Sequence, residues 1–335
     1  MLEIYGDHAD MGRGHGETCA DMIRVYCQDR LGLTRSEQWG WPDADSDFVL
    51  SCAEETLDHH EKYSEGLYAE MLAMASAAGI TPQEAVVVGG FTDLVDVVRV
   101  RLETPEEHNC TGFVDPEAGI LAQTWDMHAS AGEYVVMLKL DPLTGPAAFV
   151  QTTAGCLGQM GMNEAGIAVG INNLTAKGKP GVTWPFVVRK VLEQSDFDDA
   201  VKAVLDADLA GGHNFFIMGP SGEAATIEAM PRNKRITRAN GETLVHANNC
   251  LYPETLADEG RRDPIWVENS ELRLRIGKAK SSDLESFFAD PEISRRTEDI
   301  HDVATCGAVI IEPASRTMKA VWGIPGDHPW ETFQL

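Results

Sequence analysis

Basic residues are scarce in this sequence. It has 27 Lys and Arg against 53 Asp and Glu, which gives a formal net charge of −26. Such a surface repels phosphate backbones and anionic lipid headgroups, so neither nucleic acid nor a membrane is an expected partner. The sequence also lacks an apolar run of roughly 18 residues, and its first residues lack the basic and apolar regions of a secretory signal. We therefore expect a cytoplasmic protein.

Closely spaced cysteine pairs are missing as well. Seven cysteines are scattered along the chain, without the C-x-x-C pairs typical of zinc or redox sites. We therefore expect neither a metal nor a cofactor. A free cysteine taken alone is most often a buried thiol of the core, so a catalytic cysteine must be identified from its surroundings.

The first hundred residues are predicted to be mainly helical. Apolar positions recur at helical spacing over residues 19–26 and 67–74. A further helix is indicated by Thr81-Pro82-Gln83-Glu84, which has a capping threonine, a proline in the first turn and a glutamate three residues on. The polar stretch 103–109 then breaks the periodicity and predicts an exposed loop, accessible to cutting.

The remaining chain is predicted to be rich in strands. Short apolar or alternating runs separated by Gly, Pro and Asp predict strands over 119–125, 134–140, 147–152, 166–172, 214–218, 225–229 and, as a hairpin, 308–312 with 318–322. Two helices are predicted over 184–193 and 197–206, with Thr183 and Ser195 as candidate caps. Adjacent strands and grouped helices favour a layered α+β fold with largely antiparallel sheets.

One segment could carry chemistry. Cys110 starts a predicted strand directly after the exposed loop, and Asp126 ends the next strand, so a hairpin would bring the two residues to the same end of a sheet. Cleavage of the Asn109–Cys110 bond would give one residue both a thiol nucleophile and a free α-amine. Because the α-amine has a reference pKa near 8, it could take the thiol proton without a catalytic histidine.

Several ordered motifs resemble the isopenicillin-N acyltransferase family of N-terminal-nucleophile hydrolases, which is related to carcinine and β-alanyl-amine hydrolases. The resemblance runs nearly end to end and so is more specific than any single motif. It rests on the segments Met11-Gly12-Arg13-Gly14-His15-Gly16, Cys110-Thr111, Gln123-Thr124-Trp125-Asp126, Gly161-Met162-Asn163-Glu164-Ala165-Gly166-Ile167-Ala168-Val169 with Asn172, and His246-Ala247-Asn248-Asn249-Cys250-Leu251.

The resemblance implies roles for five residues. Cys110 would be the nucleophile, first in self-cleavage and then in thioester formation. Asp126 would orient the new amino terminus, and Asn248 would donate an N–H to the oxyanion. Thr111 and Asn172 are candidate supporting contacts for the substrate or the oxyanion.

The resemblance also implies a fold and a division of the chain. The fold would be an αββα four-layer sandwich formed by residues 1–335 as a single domain. Residues 1–109 would be a helical pro-segment that becomes the small subunit, and residues 110–335 the subunit that bears the nucleophile; the two cleaved subunits would stay associated. Two departures stand out: Asn109 replaces the glycine common in the family, and no arginine lies near residues 302–306, where the family has one.

The sequence is compatible with three functions. The first is a self-cleaving amide hydrolase that acts on a small linear amide, with water resolving the thioester. The second is an acyltransferase that hands the acyl group to an amine. The third is a non-enzymatic relative that keeps the fold and never matures. Intact mass separates the third from the other two, because only an enzyme of this class would yield two pieces.

Overall fold

The computed structural model describes residues 1–36, 39, 44–99, 110–280 and 282–335. The predicted helices of the first hundred residues are present there, and a strand precedes them. The elements are β1 (Leu2–Gly6), α1 (His8–Thr18), α2 (Ala20–Leu33), α3 (Ser46–Glu54), α4 (Leu57–Tyr63), α5 (Glu65–Ala78), α6 (Pro82–Gly89) and α7 (Phe91–Arg99). The loop predicted over 103–109 lies outside the described residues.

The start of α6 follows local side-chain chemistry. Thr81 and Glu84 form the predicted capping box, each side chain accepting from the backbone N–H of the other residue. Two free N–H groups at the helix start are thereby satisfied within four residues of sequence.

The second part of the chain contains the predicted strands and helices, together with short strands and three helices after residue 250 that the residue patterns did not predict. In chain order these are β2 (Gly112–Asp115), β3 (Ile120–His128), β4 (Val135–Pro142), β5 (Ala148–Thr153), β6 (Met160–Asn163), β7 (Ala168–Leu174), α8 (Trp184–Leu192), α9 (Phe197–Asp206), β8 (Gly212–Met218), β9 (Ala224–Ala229), β10 (Lys234–Arg238), β11 (Leu244–His246), α10 (Pro253–Leu256), α11 (Pro264–Lys278), α12 (Leu284–Phe288), β12 (Val303–Glu312), β13 (Thr317–Trp322) and β14 (Glu331–Gln334).

The cap predicted for α9 was wrong by one residue. Asp196, rather than Ser195, caps this helix by accepting from the N–H groups of Asp198 and Asp199. The reason is that one carboxylate oxygen satisfies two free helix donors at once, and the charge of the carboxylate is favourable at a helix start.

The strands form two sheets. One sheet has the order β1-β4-β5-β6-β7-β8-β9-β10, and the other has the order β11-β2-β3-β12-β13-β14. All neighbouring strands are antiparallel except β1 and β4, which pair in parallel. The prediction of largely antiparallel sheets is therefore confirmed.

The two sheets face each other, and helices cover their outer faces. Between the sheets, the Gln123 side chain of β3 accepts from the Ile171 N–H of β7 at 2.6 Å and donates to the Ile171 carbonyl at 2.9 Å. Helices α8 and α9 pack on β6 to β9. On the other side, Phe113 of β2 stacks on Phe288 of α12. Helix, sheet, sheet and helix follow one another, which confirms the α+β class.

Contacts between the N-terminal helices and the strand-rich part are extensive and buried. Strand β1 lengthens the eight-stranded sheet at its edge. Glu70 of α5 receives two bonds from Arg189 of α8, at 2.5 and 3.1 Å. Burial raises the pKa of Glu70, but Arg189 and His8 more than offset this and hold it below its ordinary value. The division of the chain at Asn109 lies outside the described residues and stays a prediction.

Among the described residues, no single helix is both long and apolar enough to cross a membrane. Helices α5 and α6 reach the length and apolar content of a membrane-spanning helix only when they are taken together, and their axes are bent by 104° relative to each other.

The buried Glu70–Arg189 pair predicts a large effect of Arg189→Met on folding. Removing the guanidinium leaves a buried carboxylate without its main partner, which typically costs about 3–5 kcal/mol. We expect a loss of that size in the free energy of unfolding at neutral pH, measured with urea in a Cys110→Ala background so that the chain stays continuous. Arg13→Met is the control, because Arg13 pairs with Asp10 in solvent and should change stability by less than about 0.5 kcal/mol. Equal losses in both variants would contradict the prediction.

Candidate active site

The β2–β3 hairpin brings Cys110 and Asp126 together, as the sequence predicts. The ladder pairs Gly112 with Gln123 and continues through the Thr124 N–H, which donates to the Thr111 carbonyl at 2.9 Å. Further along β3, the Asp126 N–H donates to the Cys110 sulfur at 3.4 Å. Asp126 is not the end of its strand, because β3 continues to His128 and pairs with β12 along that length.

The Cys110 thiol is buried, and this sets its protonation state. Burial raises its pKa to about 12, and the nearby Asp126 carboxylate adds to the rise. The backbone N–H groups of Asp126 and Asn173 and the charge of Arg273 act in the opposite direction. In the continuous chain the thiol is therefore protonated at neutral pH, and a nearby base is needed to make it a nucleophile.

Asp126 is held in place by Thr305 of β12. The Thr305 hydroxyl donates to Asp126 Oδ1 at 2.7 Å and accepts from the Arg295 N–H at 2.9 Å, so its direction is fixed. Thr305 lies beside a register shift in the pairing of β12 with β3. Thr305 lies within residues 302–306, where the family has an arginine, and here a hydroxyl binds Asp126 instead.

A buried arginine that the sequence motifs do not indicate, Arg273, enters the site from α11. Its Nη1 donates to the Cys110 carbonyl and, at 2.9 Å, to the Thr111 hydroxyl, while its Nη2 donates to Asn248 Oδ1 at 3.1 Å. Burial lowers its pKa to about 10, so it remains charged at neutral pH. The guanidinium thus joins the nucleophile residue, its neighbour and the candidate oxyanion residue.

A sequence signal for Arg273 existed. The buried positions of α11 are Ser270, Arg273, Leu274 and Gly277, which recur at helical spacing on one face. An arginine on the buried face of an amphipathic helix is unusual, because a charge is costly to bury unless it is paired. The signal is weak in this sequence, since the same helix has other charged residues on its exposed face.

Three asparagines line the region around Cys110 and are used differently. Asn172 Nδ2 donates to the Ala247 carbonyl at 2.6 Å and, at longer range, to the carbonyls of Cys110 and His246, so it ties β7 to the segment before Asn248. Asn248 Nδ2 donates to the Asn173 carbonyl at 3.0 Å, which leaves its second N–H. Within the described ranges, neither side-chain polar atom of Asn173 has a partner.

The segment that carries Asn248 is fixed by Glu228 of β9. Glu228 Oε1 lies 2.8 Å from His246 Nε2 and accepts from the Leu251 N–H at 2.7 Å, and its other oxygen accepts from the Thr255 hydroxyl. One buried carboxylate therefore binds residues on both sides of Asn248. Such a clamp fixes the position of the Asn248 side chain relative to the sulfur.

The structure gathers Cys110, Thr111, Asp126, Asn172 and Asn248 in one buried region. Their catalytic roles stay predictions, as does the cleavage site, because Asn109 lies outside the described residues. The Thr111 hydroxyl oxygen accepts a hydrogen bond from Arg273 of α11.

Over the part of the chain that the structure describes, no three His, Cys, Asp or Glu side chains are arranged to hold a metal ion.

Comparisons with known proteins bear on this site. The model of the family described as acyl-coenzyme A:6-aminopenicillanic acid acyl-transferase matches residues 114–326. A curated relative, the 40 kDa form of acyl-coenzyme A:6-aminopenicillanic-acid-acyltransferase from Emericella nidulans, is 29% identical over 140 residues, which cover 41% of this chain and 39% of the relative. The match thus spans well under half the length of that relative.

Two solved structures are similar to the chain at low identity. A mutant of conjugated bile acid hydrolase from Clostridium perfringens is 12% identical, with a TM-score of 0.43 over 68% of this chain and 97% of that one. An N-acylethanolamine-hydrolyzing acid amidase ortholog from Caenorhabditis elegans is 16% identical, with a TM-score of 0.40 over 61% and 93%. The family match covers more than half of the sequence and confirms the resemblance found in its motifs: the chain belongs to the acyl-coenzyme A:6-aminopenicillanic acid acyl-transferase family.

Proposed function

We propose that the protein is a self-cleaving cysteine amidohydrolase that acts on a small linear amide through a thioester on Cys110. One observation carries the proposal: a buried cysteine at the start of a hairpin has its sulfur against the Asp126 N–H and its carbonyl bound by Arg273. The cut would fall between Asn109 and Cys110. Membership of an acyltransferase family supports the acyl chemistry.

Self-cleavage would supply the base that the protonated Cys110 thiol needs. While the chain is continuous, the thiol has a pKa of about 12 and the Cys110 nitrogen is an amide without basicity. Once the bond is cut, that nitrogen becomes an α-amine with a reference pKa near 8, adjacent to the sulfur. The new terminus also admits solvent, which reduces the burial that raises the thiol pKa.

The catalytic cycle then has two halves. The α-amine takes the thiol proton, the thiolate attacks the amide carbonyl, and the tetrahedral intermediate expels the amine, which receives the proton from the α-ammonium group. Water, deprotonated by the same α-amine, attacks the thioester. The second intermediate releases the carboxylic acid and restores the thiol.

The oxyanion of each intermediate needs donors that are already in place. Asn173 offers its backbone N–H beside the sulfur, and Asn248 offers its remaining side-chain N–H. Loss of one such donor typically costs about 2.7–4 kcal/mol of activation free energy. Asp126, held by Thr305, would pair with the α-ammonium group and orient it.

The two pieces of the cleaved protein would remain associated. The pairing of β1 with β4 and the Glu70–Arg189 ion pair join residues on opposite sides of the proposed cut. Both contacts are far in sequence from Cys110, so cleavage does not remove them. A mature protein of two chains in one folded body is the expected product.

Transfer to an amine is the second candidate, and the name of the family favours it. The first half of the cycle is identical, and only the group that attacks the thioester differs. An amine acceptor would give a new amide in place of an acid.

Intact mass tests self-cleavage. We expect the purified wild-type protein to yield two masses, one ending at Asn109 and one beginning at Cys110, and Cys110→Ala to yield a single uncut chain without activity. Cys156→Ala is the matched control, because Cys156 is another buried free thiol and its loss should leave cleavage intact. An active wild-type protein with one full-length mass would refute the mechanism.

Arg273→Met tests the positioning role of the guanidinium. Its loss leaves Asn248 Oδ1 without its donor and the Cys110 carbonyl with only the 3.5 Å bond from Asn172, so we expect kcat to fall by about 10²- to 10³-fold with a smaller change in KM. Arg275→Met is the control, because Arg275 lies on the same helix with its side chain exposed. Equal activity of the two variants, both folded by circular dichroism, would show that Arg273 is dispensable.

An acceptor experiment separates hydrolysis from transfer. The mature protein is incubated with an amide or acyl-thioester donor, with and without an added amine, and the products are identified by mass spectrometry. A hydrolase gives the free acid under both conditions at the same rate. A new amide as the main product would favour the acyltransferase instead.

A further inference from the structure

Two histidines of the N-terminal helices bind the strand-rich part of the chain across the proposed cut. His15 of α1 and His60 of α4 are buried, with 2% and 0% of their surface exposed. Each accepts a hydrogen bond from a backbone N–H on the other side of the cut: His15 Nε2 from Gly155 at 3.1 Å, and His60 Nε2 from Thr183 at 3.2 Å. We refer to the contact surface between the two sides of the cut as the subunit interface. Neither imidazole takes part in the proposed catalytic cycle.

The partners of both imidazoles fix their protonation state. His60 Nδ1 lies 2.8 Å from the Thr56 carbonyl, which can only accept a hydrogen bond, so Nδ1 carries the proton. His60 Nε2 is then a bare acceptor, to which the Thr183 hydroxyl donates at 2.8 Å in addition to the Thr183 N–H. His15 Nε2 is a bare acceptor as well, because its partner is a backbone N–H. Both imidazoles are therefore neutral, and a second proton on either one would occupy the lone pair that accepts the bond across the interface.

The surroundings of both imidazoles oppose a positive charge. Burial lowers the pKa of His15 to about 4; the Glu70 carboxylate of α5 offsets part of this fall, and the Arg189 guanidinium of α8 adds to it. Burial also lowers the pKa of His60 to about 4, and His59 of the same helix acts in the same direction. An imidazole in water has an ordinary pKa of 6.5, so both side chains bind a proton more readily when they are exposed.

Two other titratable groups beside His15 do not reverse this direction. His8 lies against Glu70 and Glu193, and its bond to Glu70 raises its pKa. Its contribution is therefore fully present below the ordinary value of 6.5 and is lost only as the pH rises. The pKa of Glu70 lies below its ordinary value of 4.5, so this carboxylate is still ionised at about pH 5.

A third buried imidazole lies at the same interface and acts in the same direction as the first two. His128 of β3 donates from Nδ1 to the Ser130 hydroxyl oxygen at 2.7 Å, because that hydroxyl itself donates to the Asp29 carboxylate of α2 at 2.8 Å. Burial lowers the pKa of His128 well below its ordinary value, and the charge of Arg30 adds to the fall. Exposure of this side chain would therefore also favour proton uptake in acid.

We propose that acid releases the N-terminal subunit of the cleaved protein, because proton uptake by His15 and His60 removes both acceptors that bind the backbone of the nucleophile-bearing subunit. The two subunits are joined at neutral pH, where both imidazoles are neutral. They bind more protons when apart, so their association weakens as the pH falls from about 6.5 toward about 4. This inference rests on the proposed function, since only a cleaved chain has a subunit to release, and it adds regulation by pH to the mature enzyme.

Sedimentation of the mature protein tests the release. The equilibrium constant for separation of the two chains is measured at one fixed urea concentration, at pH 7.5 and at pH 5. Each imidazole whose pKa changes from about 4 to 6.5 should raise this constant by about 30-fold, so we expect an increase of about 10³-fold for the two. Equal separation at the two pH values would overturn the inference.

Glutamine variants assign the effect to the two imidazoles. A glutamine can place its carbonyl oxygen near the position of imidazole Nε2, and it does not titrate. The double variant His15→Gln/His60→Gln should therefore reduce the increase at pH 5 to less than about tenfold. His59→Gln is the control, because His59 is partly exposed on the same helix and pairs with Asp208, and it should keep the full increase.

The single variants decide the outcome if the double variant does not assemble. His15→Gln and His60→Gln should each remove about a 30-fold part of the increase. An undiminished increase in both single variants would overturn the inference, because the acid effect would then come from other groups.

The continuous chain of Cys110→Ala separates failure of the inference from failure of the proposed function. Unfolding exposes the same imidazoles, so we expect its equilibrium constant of unfolding, measured with urea, to rise by about 10³-fold from pH 7.5 to pH 5 and by much less with both glutamines present. If the wild-type protein never cuts itself, the proposed function fails and subunit release fails with it, while this comparison still shows whether the interface responds to acid. If the wild-type protein cuts itself and turns over an amide, but the glutamines change nothing, the inference alone fails.

Discussion

The antiparallel pairing of β2 with β3 is the interaction on which the site depends. It sets the Asp126 N–H against the Cys110 sulfur and places both residues at one end of the sheet. The pairing is itself held between two packed layers, by Gln123 toward β7 and by Phe113 toward α12. A shift of one residue in this register would turn every side chain of the hairpin to the opposite face. The same register therefore fixes both the position of the Cys110 sulfur and the packing of the core.

Buried polar groups surround this hairpin, and each one joins parts of the chain that are distant in sequence. Arg273 bonds Cys110 and Asn248, Glu228 holds the segment on both sides of Asn248, and Thr305 fixes Asp126. A buried network of this kind is stable only when its members are satisfied.

Local patterns predicted much of the fold. The capping box at Thr81, the strands after Cys110 and the helices α8 and α9 all follow from residue spacing that acts within a few positions. The short strands β1, β6, β10, β11 and β14 were not predicted, and they have a common cause. A strand of three to five residues carries too little pattern to be recognised, and it forms because a neighbouring strand supplies its hydrogen bonds.

The sequence by itself determined the family, the α+β class and the proximity of Cys110 to Asp126, because motifs and hairpins are formed by residues that are contiguous in the chain. Only the tertiary structure decided that Arg273 reaches the site, and that Asn172 is bound to the Ala247 carbonyl while the Asn173 side chain is free among the described residues. These are contacts between residues up to 163 positions apart. Their geometry is set by the packing of whole layers, and no local pattern of residues encodes it.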